Sequence, residues 1–146
     1  MEFSCHYDIK FCELGELMKS ADFISVHVPL MKETEGLIDE KKLRAMKPTS
    51  YLVNLSRGRV VDESALYKVL SEKVIAGAAL DVFAEEPPNK SPLLSLPNVF
   101  TTPHMGGYTY DALQEIGMGC ALSIVDVLSG RKPKNIVNKD VIDKLF

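Results

Sequence analysis

SYLVNL, residues 50–55, runs into the polar turn Ser56–Gly58, and a similar apolar stretch, IAGAALDVF, occupies residues 75–83. Both stretches have the length and the mostly apolar character of strands in a parallel sheet with two buried faces. Between them, Asp62 is placed to cap a helix. The apolar side chains of that helix recur at helical spacing: Ala65, Leu66, Val69 and Leu70. This order of elements predicts two parallel strands joined by a helical crossover.

The same alternation of strands and helices continues on both sides of this unit. In chain order the further predicted elements are a helix around Leu14–Ala21, a strand at 24–28, a helix at 39–46 that Asp39 is placed to cap, a proline-rich loop at 84–98, a strand within 98–104 and a helix at 109–128. Such alternation predicts an α/β fold with a parallel sheet that helices cover on both faces.

Composition limits the classes of partner. The chain has 146 residues, of which 46% are hydrophobic and 25% charged, and its net charge is -3, so a soluble globular protein is expected. We find no clustered Lys and Arg, which a nucleic-acid or anionic-membrane partner would require, and no apolar run of about 20 residues. The expected partner is a small molecule and the expected location is the cytoplasm. Cys5, Cys12 and Cys120 lack the spacing of a zinc site, and no metal is expected.

Polar residues follow the predicted strands where each strand ends. Arg57 follows one strand, Asp81 and Glu86 follow the next, and His104 follows the last. Ligands of open parallel sheets bind outside the carboxyl ends of the strands. An arginine can bind a carboxylate with two hydrogen bonds, and a histidine can donate and accept a proton near neutral pH. A carboxylate such as Glu86 could orient that histidine.

These residues also have simpler explanations. Arg57 could be an ordinary surface or ion-pairing residue, and His104 could be a loop residue without a partner. Glu85 and Glu86 could be a solvated acidic pair, and Asp81 could be a local cap. Spacing alone does not decide between these interpretations.

Four ordered segments resemble one family. ADFISVHVPLMKETEGLI (21–38), MKPTSYLVNLSRGRVVDESAL (46–66), AGAALDVFAEEPP (76–88) and LPNVFTTPHMGGYT (96–109) are similar to consecutive motifs of the D-isomer-specific 2-hydroxyacid dehydrogenases, with phosphoglycerate dehydrogenase-like members among the nearest. Four motifs in order are far more specific than one. The resemblance implies the carboxyl-side part of a Rossmann-type, doubly wound NAD-binding domain.

The resemblance also implies roles for individual residues. Arg57 matches the substrate-clamping arginine, His104 the acid/base histidine and Glu86 the glutamate that tunes the imidazole. Arg57 and His104 are expected to contact the cofactor as well. The other implied cofactor contacts are Val28, Pro29 and Thr34 toward the adenine end, Leu55 and Ser56 through their backbone, Asp81 on the nicotinamide carboxamide, and Gly106 and Gly107 beside the nicotinamide. The implied cofactor is NAD, and NADP stays open.

The sequence departs from the family pattern at its amino-terminal end. It has no GxGxxG loop to bind the pyrophosphate and no separate substrate domain. We therefore expect a shortened lead-in at 1–20, a truncated NAD-binding domain at 21–130 and a tail at 131–146. Asp8 is a candidate for the acidic ribose contact. The short join between Asp8 and the first matching motif suggests a truncated gene, a deletion variant or an engineered fragment.

Two functions stay open at this point. The first is an NAD-dependent oxidoreductase that interconverts a D-2-hydroxy acid and its 2-keto acid. The second is a non-catalytic homologue that acts in dimerisation or nucleotide sensing. Because a partial sheet should leave a strand edge or an apolar face exposed, a homodimer is the expected assembly in either case.

Overall fold

The computed structural model describes residues 9–138. The chain divides into two compact units, one ending at Gly106 and the other beginning at Gly107. The boundaries predicted at 20/21 and 130/131 stay predictions, and Asp8 lies outside the described residues. Within residues 9–138, no helix is both long enough and apolar enough to cross a bilayer.

The first unit alternates helices and strands in the predicted order. Its elements are α1 (Leu14–Ser20), β1 (Phe23–Val26), α2 (Glu40–Arg44), β2 (Tyr51–Asn54), α3 (Glu63–Ser71), β3 (Gly77–Leu80) and β4 (Val99–Thr101), with 3₁₀ turns at Gly58–Val60 and Pro92–Ser95. Several predicted bounds differ from the observed ones. The first strand ends at Val26 and does not reach residue 28, and the segment 84–98 is not all loop, because a 3₁₀ turn begins at Pro92.

Side-chain caps fix the starts of α2 and α3, as the sequence indicated. The Asp39 carboxylate accepts a hydrogen bond from the backbone N–H of Lys42 (2.9 Å). The Asp62 carboxylate accepts from the N–H groups of Ser64 and Ala65, both at 3.0 Å. These bonds satisfy amide groups that have no partner within the first turn of a helix.

The four strands form one parallel sheet in the order β1-β2-β3-β4. In the register, Leu52 of β2 lies between Ile24 of β1 and Ala78 of β3. These three residues point toward α1–α3 and are buried in one apolar core. Because the strands are adjacent in chain order, right-handed crossovers place the connecting helices on the same face. The parallel Rossmann-type sheet is confirmed.

The opposite face of the sheet is largely exposed in this unit. Phe23 is 73% exposed, Phe100 69% and Tyr51 43%, and the rings of Phe23 and Tyr51 stack with centroids 5.5 Å apart. Within this unit the helices α1–α3 lie on one face of the sheet, because the sequential strand order keeps them on one side. We call this surface the open sheet face, defined by Phe23, Tyr51 and Phe100.

The second unit contains α4, a helix from Tyr110 to Leu128. Thr109 caps the start of this helix, because its hydroxyl accepts a hydrogen bond from the N–H of Ala112 (3.1 Å). The bounds agree with the predicted helix at 109–128. None of the helix residues is buried.

Candidate active site

The turn after β2 places Arg57, and Asn54 shapes that turn. The buried Asn54 side chain donates from Nδ2 to the Arg57 carbonyl oxygen (3.0 Å). Its Oδ1 accepts from the N–H (3.1 Å) and the hydroxyl (3.0 Å) of Ser56. The guanidinium of Arg57 is held near its own turn by a 2.7 Å bond to the Ser56 carbonyl oxygen. The turn is thereby fixed while Arg57 stays accessible.

A concavity of about 440 Å³ lies between the segments that follow β1 and β2. Its lining residues are His27, Val28, Pro29, Leu30, Leu55, Ser56 and Arg57. Five of these were predicted from the sequence. The hydroxyl of Thr34 donates to the Pro29 carbonyl oxygen (2.6 Å) and accepts from the Met31 N–H (2.7 Å), so Thr34 shapes one wall of this concavity.

Asp81, at the end of β3, binds the loop that follows β4. One carboxylate oxygen accepts from the Thr102 hydroxyl and from the Met105 N–H (2.8 Å), and the other accepts from the Gly106 N–H (2.8 Å). Burial acts to raise the pKa of the Asp81 carboxyl, but these hydrogen bonds outweigh it and the pKa is lowered. Asp81 is therefore ionised at neutral pH and holds the loop on both sides of His104.

His104 and Glu86 form a direct pair. The imidazole Nδ1 lies 2.8 Å from Glu86 Oε2, and Glu86 Oε1 accepts from the Phe83 N–H at 3.0 Å. The hydrogen bond from His104, then that from Phe83, lower the pKa of Glu86. Since an ionised carboxylate can only accept, Nδ1 must carry the proton, which leaves Nε2 as the nitrogen available to a ligand. His104 adopts a positive φ of 54°, a conformation that few residues other than glycine adopt.

Two residues fix the segment that carries Glu86. A Cβ built on Gly58 would lie 1.9 Å from the Phe83 carbonyl carbon and 2.2 Å from the Ala84 nitrogen, so only glycine fits there. Glu63, the first residue of α3, accepts a hydrogen bond from the Ala84 N–H. Burial, followed by the nearby Glu86 carboxylate, raises the pKa of Glu63, although the bond from Ala84 acts in the opposite direction.

Gly106 lies close both to Asp81 and to Leu55, so it connects the His104 loop with the segment that follows β2. A Cβ at Gly106 would lie 3.0 Å from Asp81 Oδ2 and 4.0 Å from Leu55 Cδ2. A further cavity of about 500 Å³ adjoins the histidine and is lined by Asp81, Phe83, Glu86, Pro87, Pro88, Leu94, Thr101, Thr102, Pro103 and His104. Gly107 begins the second unit and Asp8 lies outside the described residues, so the structure does not place either in this site.

Sequence reasoning missed several residues of the site. The role of Asn54 could have been predicted, because an asparagine two residues before Ser-Arg-Gly is typical of a turn that the asparagine side chain stabilises. Thr102 had a weaker signal, its place near the end of a predicted strand. His27 directly precedes the predicted contacts Val28 and Pro29, and its ring is 2.7 Å from the hydroxyl of Ser25. Glu63 had no local signal.

The carboxyl ends of three neighbouring strands thus hold an accessible arginine and a carboxylate–imidazole pair, and this chemistry can be compared with known families. Residues 3–106 match the family model described as D-isomer specific 2-hydroxyacid dehydrogenase, NAD binding domain. This chain belongs to that family. The matched segment contains Arg57, Asp81, Glu86 and His104, and it ends at Gly106, where the first compact unit ends.

Individual members of the dehydrogenase family are similar over most of the chain. A glyoxylate reductase of Thermofilum pendens is 46% identical over 92% of this chain and 40% of its own length. A D-3-phosphoglycerate dehydrogenase of Methanocaldococcus jannaschii is also 46% identical, over 86% of this chain and 24% of its own length. The chain therefore spans about two fifths or less of these relatives.

A solved member of the family gives the same result for the fold. The NAD-complexed form of a D-isomer specific 2-hydroxyacid dehydrogenase from Lactobacillus delbrueckii ssp. bulgaricus superposes with a TM-score of 0.78 and 35% identity. The match covers 87% of this chain and 43% of that protein. The recognition made from the four sequence motifs is confirmed, including the likeness to phosphoglycerate dehydrogenases.

Proposed function

We propose that this chain supplies the carboxylate-binding and acid/base groups of an NAD-dependent oxidoreductase that interconverts a D-2-hydroxy acid and its 2-keto acid. The observation that carries the proposal is the 2.8 Å contact between His104 Nδ1 and Glu86 Oε2, with the imidazole on a loop that Asp81 holds. An imidazole oriented by a carboxylate presents one defined nitrogen for proton transfer. Membership of the dehydrogenase family supports the same reaction.

Each residue has a chemical task in the proposed reduction. Arg57 binds the carboxylate of the keto acid through its planar guanidinium and draws electron density from the neighbouring carbonyl. Protonated His104 donates the Nε2 proton to the carbonyl oxygen, and Glu86 stabilises the imidazolium and holds its orientation. In the oxidation direction, neutral Nε2 accepts the hydroxyl proton. NADH, when bound, supplies the hydride that forms the C2–H bond.

The residues at the strand ends fit the nicotinamide end of NAD. Among residues 9–138, Asp81 Oδ2 accepts one hydrogen bond, from Gly106, and an oxygen with two lone pairs can accept another from a carboxamide. A Cβ at Gly106 would lie 3.0 Å from that oxygen, so glycine at this position leaves room beside it. The concavity beside Val28, Pro29, Leu55 and Ser56 is where we place the adjoining part of the cofactor.

Residues 1–146 contain no GxGxxG motif, so an assay of this segment alone must allow for weak NAD binding. The backbone amides of such a loop bind the pyrophosphate at a helix amino terminus. If these contacts contribute about 4 kcal/mol, affinity falls roughly a thousandfold without them. Assays of this chain therefore need millimolar NADH.

The proposal is tested by NADH oxidation with a panel of keto acids that includes glyoxylate. We expect keto-acid-dependent oxidation by the wild-type chain, lowered by about 10²-fold or more in H104Q, because general acid–base catalysis contributes at least that much. E85Q and R59K are the matched controls for E86Q and R57K, and they should keep the wild-type rate. Equal rates in wild type and H104Q would refute the proposal.

The open sheet face favours a second candidate, an association module without catalysis. Phe23, Tyr51 and Phe100 expose their aromatic rings on this face, and exposed apolar patches are typical of protein interfaces. On this hypothesis the chain forms a homodimer through that face and binds no NADH. Sedimentation at increasing concentration together with calorimetry at millimolar NADH separates the two candidates, since a dimer without binding heat supports only the second.

A further inference from the structure

The segment Phe83–Glu86 determines where the Glu86 carboxylate lies, and Glu63 is attached to it from outside the site. Glu86 reaches both the Phe83 N–H and the His104 imidazole from this short segment. The next amide, that of Ala84, is bound by the carboxylate of Glu63 from α3. The two adjacent amides are therefore held by two different carboxylates.

Glu63 is not needed to cap its own helix. Asp62 already accepts hydrogen bonds from Ser64 and Ala65, the amides that the cap of α3 must satisfy. The Glu63 carboxylate instead accepts a hydrogen bond from the N–H of Ala84, which lies 21 residues later in the sequence. Its surroundings disfavour its charge, since burial and then the carboxylate of Glu86 raise the pKa of Glu63. A glutamate at this place is thus a poor choice for stability alone.

Gly58 restricts the same segment from the other side. Its backbone touches Phe83 and Ala84 so closely that no Cβ fits. The segment is held between the 3₁₀ turn that follows Arg57 and the first turn of α3. A shift of Ala84 away from Glu63 would move Phe83 and, with it, one of the two hydrogen bonds that orient Glu86.

We propose that Glu63 is a positioning residue that holds the Ala84 amide and thereby keeps Glu86 aligned with His104. The proposal rests on the function proposed above for the His104–Glu86 pair. Glu63 touches neither the imidazole nor a reacting atom, and it acts only through the Phe83–Glu86 segment. Its contribution depends on an acceptor oxygen at the right distance, and a neutral amide oxygen provides one as well.

Three substitutions separate this role from others. E63A removes the acceptor. E63D keeps the negative charge but shortens the side chain by one methylene, which moves the acceptor away from the Ala84 N–H. E63Q keeps an acceptor at the same distance without the charge. Because burial disfavours the ionised side chain, E63Q should unfold no more easily than wild type at neutral pH. The neighbouring exposed Glu85 gives the matched control, E85A.

The readout is the tautomer of His104, measured from the ¹⁵N shifts of both ring nitrogens, with H104Q to assign the signals among the three histidines. We expect the Nδ1–H form to dominate in wild type, E63Q and E85A. In E63A and E63D the tautomers should mix, and Ala84 amide exchange should accelerate about thirtyfold, the loss expected for one hydrogen bond to a charged group. If E63A does not fold, the comparison of E63D with E63Q decides.

The possible failures are distinguishable. A wild-type tautomer that persists in both E63A and E63D overturns the role of Glu63 and leaves the proposed function intact. A wild-type chain in which Nδ1–H is not preferred overturns the His104–Glu86 pair itself, and with it the proposed function. Mixed tautomers in E63Q as well would show that an acceptor at this distance is insufficient, which also refutes the proposal.

Discussion

Replacing Asp81 by asparagine tests whether the buried carboxylate holds the His104 loop. The Asp81 side chain is 3% exposed and accepts three hydrogen bonds, from Thr102, Met105 and Gly106. An asparagine has one oxygen, so its NH₂ group must face at least one of these donors. Losing a hydrogen bond to a charged group costs about 2 kcal/mol and a buried donor without a partner about 1 kcal/mol. We expect D81N to lower the free energy of unfolding by about 3 kcal/mol.

Urea denaturation measures this loss, and D22N is its control. Asp22 makes a 2.9 Å ion pair with Lys47 but its side chain is 68% exposed, so D22N should cost less than about 1 kcal/mol. Because the pKa of Asp81 is lower in the folded chain than its usual 3.8, its stabilisation is complete above pH 3.8 and is lost as the pH falls through the folded-state pKa. The difference between wild type and D81N should shrink over that acidic range. Equal losses in D81N and D22N would refute the reasoning.

Three further substitutions follow from individual contacts. G58A should lower the free energy of unfolding by about 3 kcal/mol through overpacking. G15A is the control and should not destabilise the chain, because a Cβ at Gly15 meets no atom within 4 Å. Thermal unfolding of the two variants measures the difference. E86Q should lower keto acid reduction about tenfold or more while E85Q retains the wild-type rate, as initial rates will show. F100S should weaken any self-association seen by sedimentation, and an unchanged dimer would contradict an interface at the open sheet face.

The strand ends were predictable because parallel strands bring their carboxyl ends to one edge. The apolar pattern predicted the strands that precede Asp81, Glu86 and His104. These side chains could therefore be expected to lie close together at that edge before their distances were known. Spacing alone did not show what these residues do; their roles were implied by the family resemblance. The caps Asp39 and Asp62 were equally readable, since each precedes a helical pattern directly.

Other features could not be predicted because they depend on contacts between distant segments. The bond between Glu63 and Ala84 joins a helix start to a loop 21 positions later, and nothing near Glu63 in the sequence indicates it. An exposed strand edge or apolar face was expected, but the residues of the open sheet face could not be identified, for a different reason. Tyr51 and Phe100 are apolar, and an apolar residue in a strand indicates burial unless the position of the helices is known.

Deuterium transfer tests the central claim most directly. The wild-type chain is incubated with a 2-keto acid and millimolar NADH that carries deuterium at both C4 positions, and the product is analysed by mass spectrometry and chiral chromatography. Hydride transfer at a site built from Arg57, Glu86 and His104 predicts a D-2-hydroxy acid with one deuterium at C2, and loss of that product in H104Q. A product without deuterium, a racemic product, or the same yield from H104Q would contradict the account.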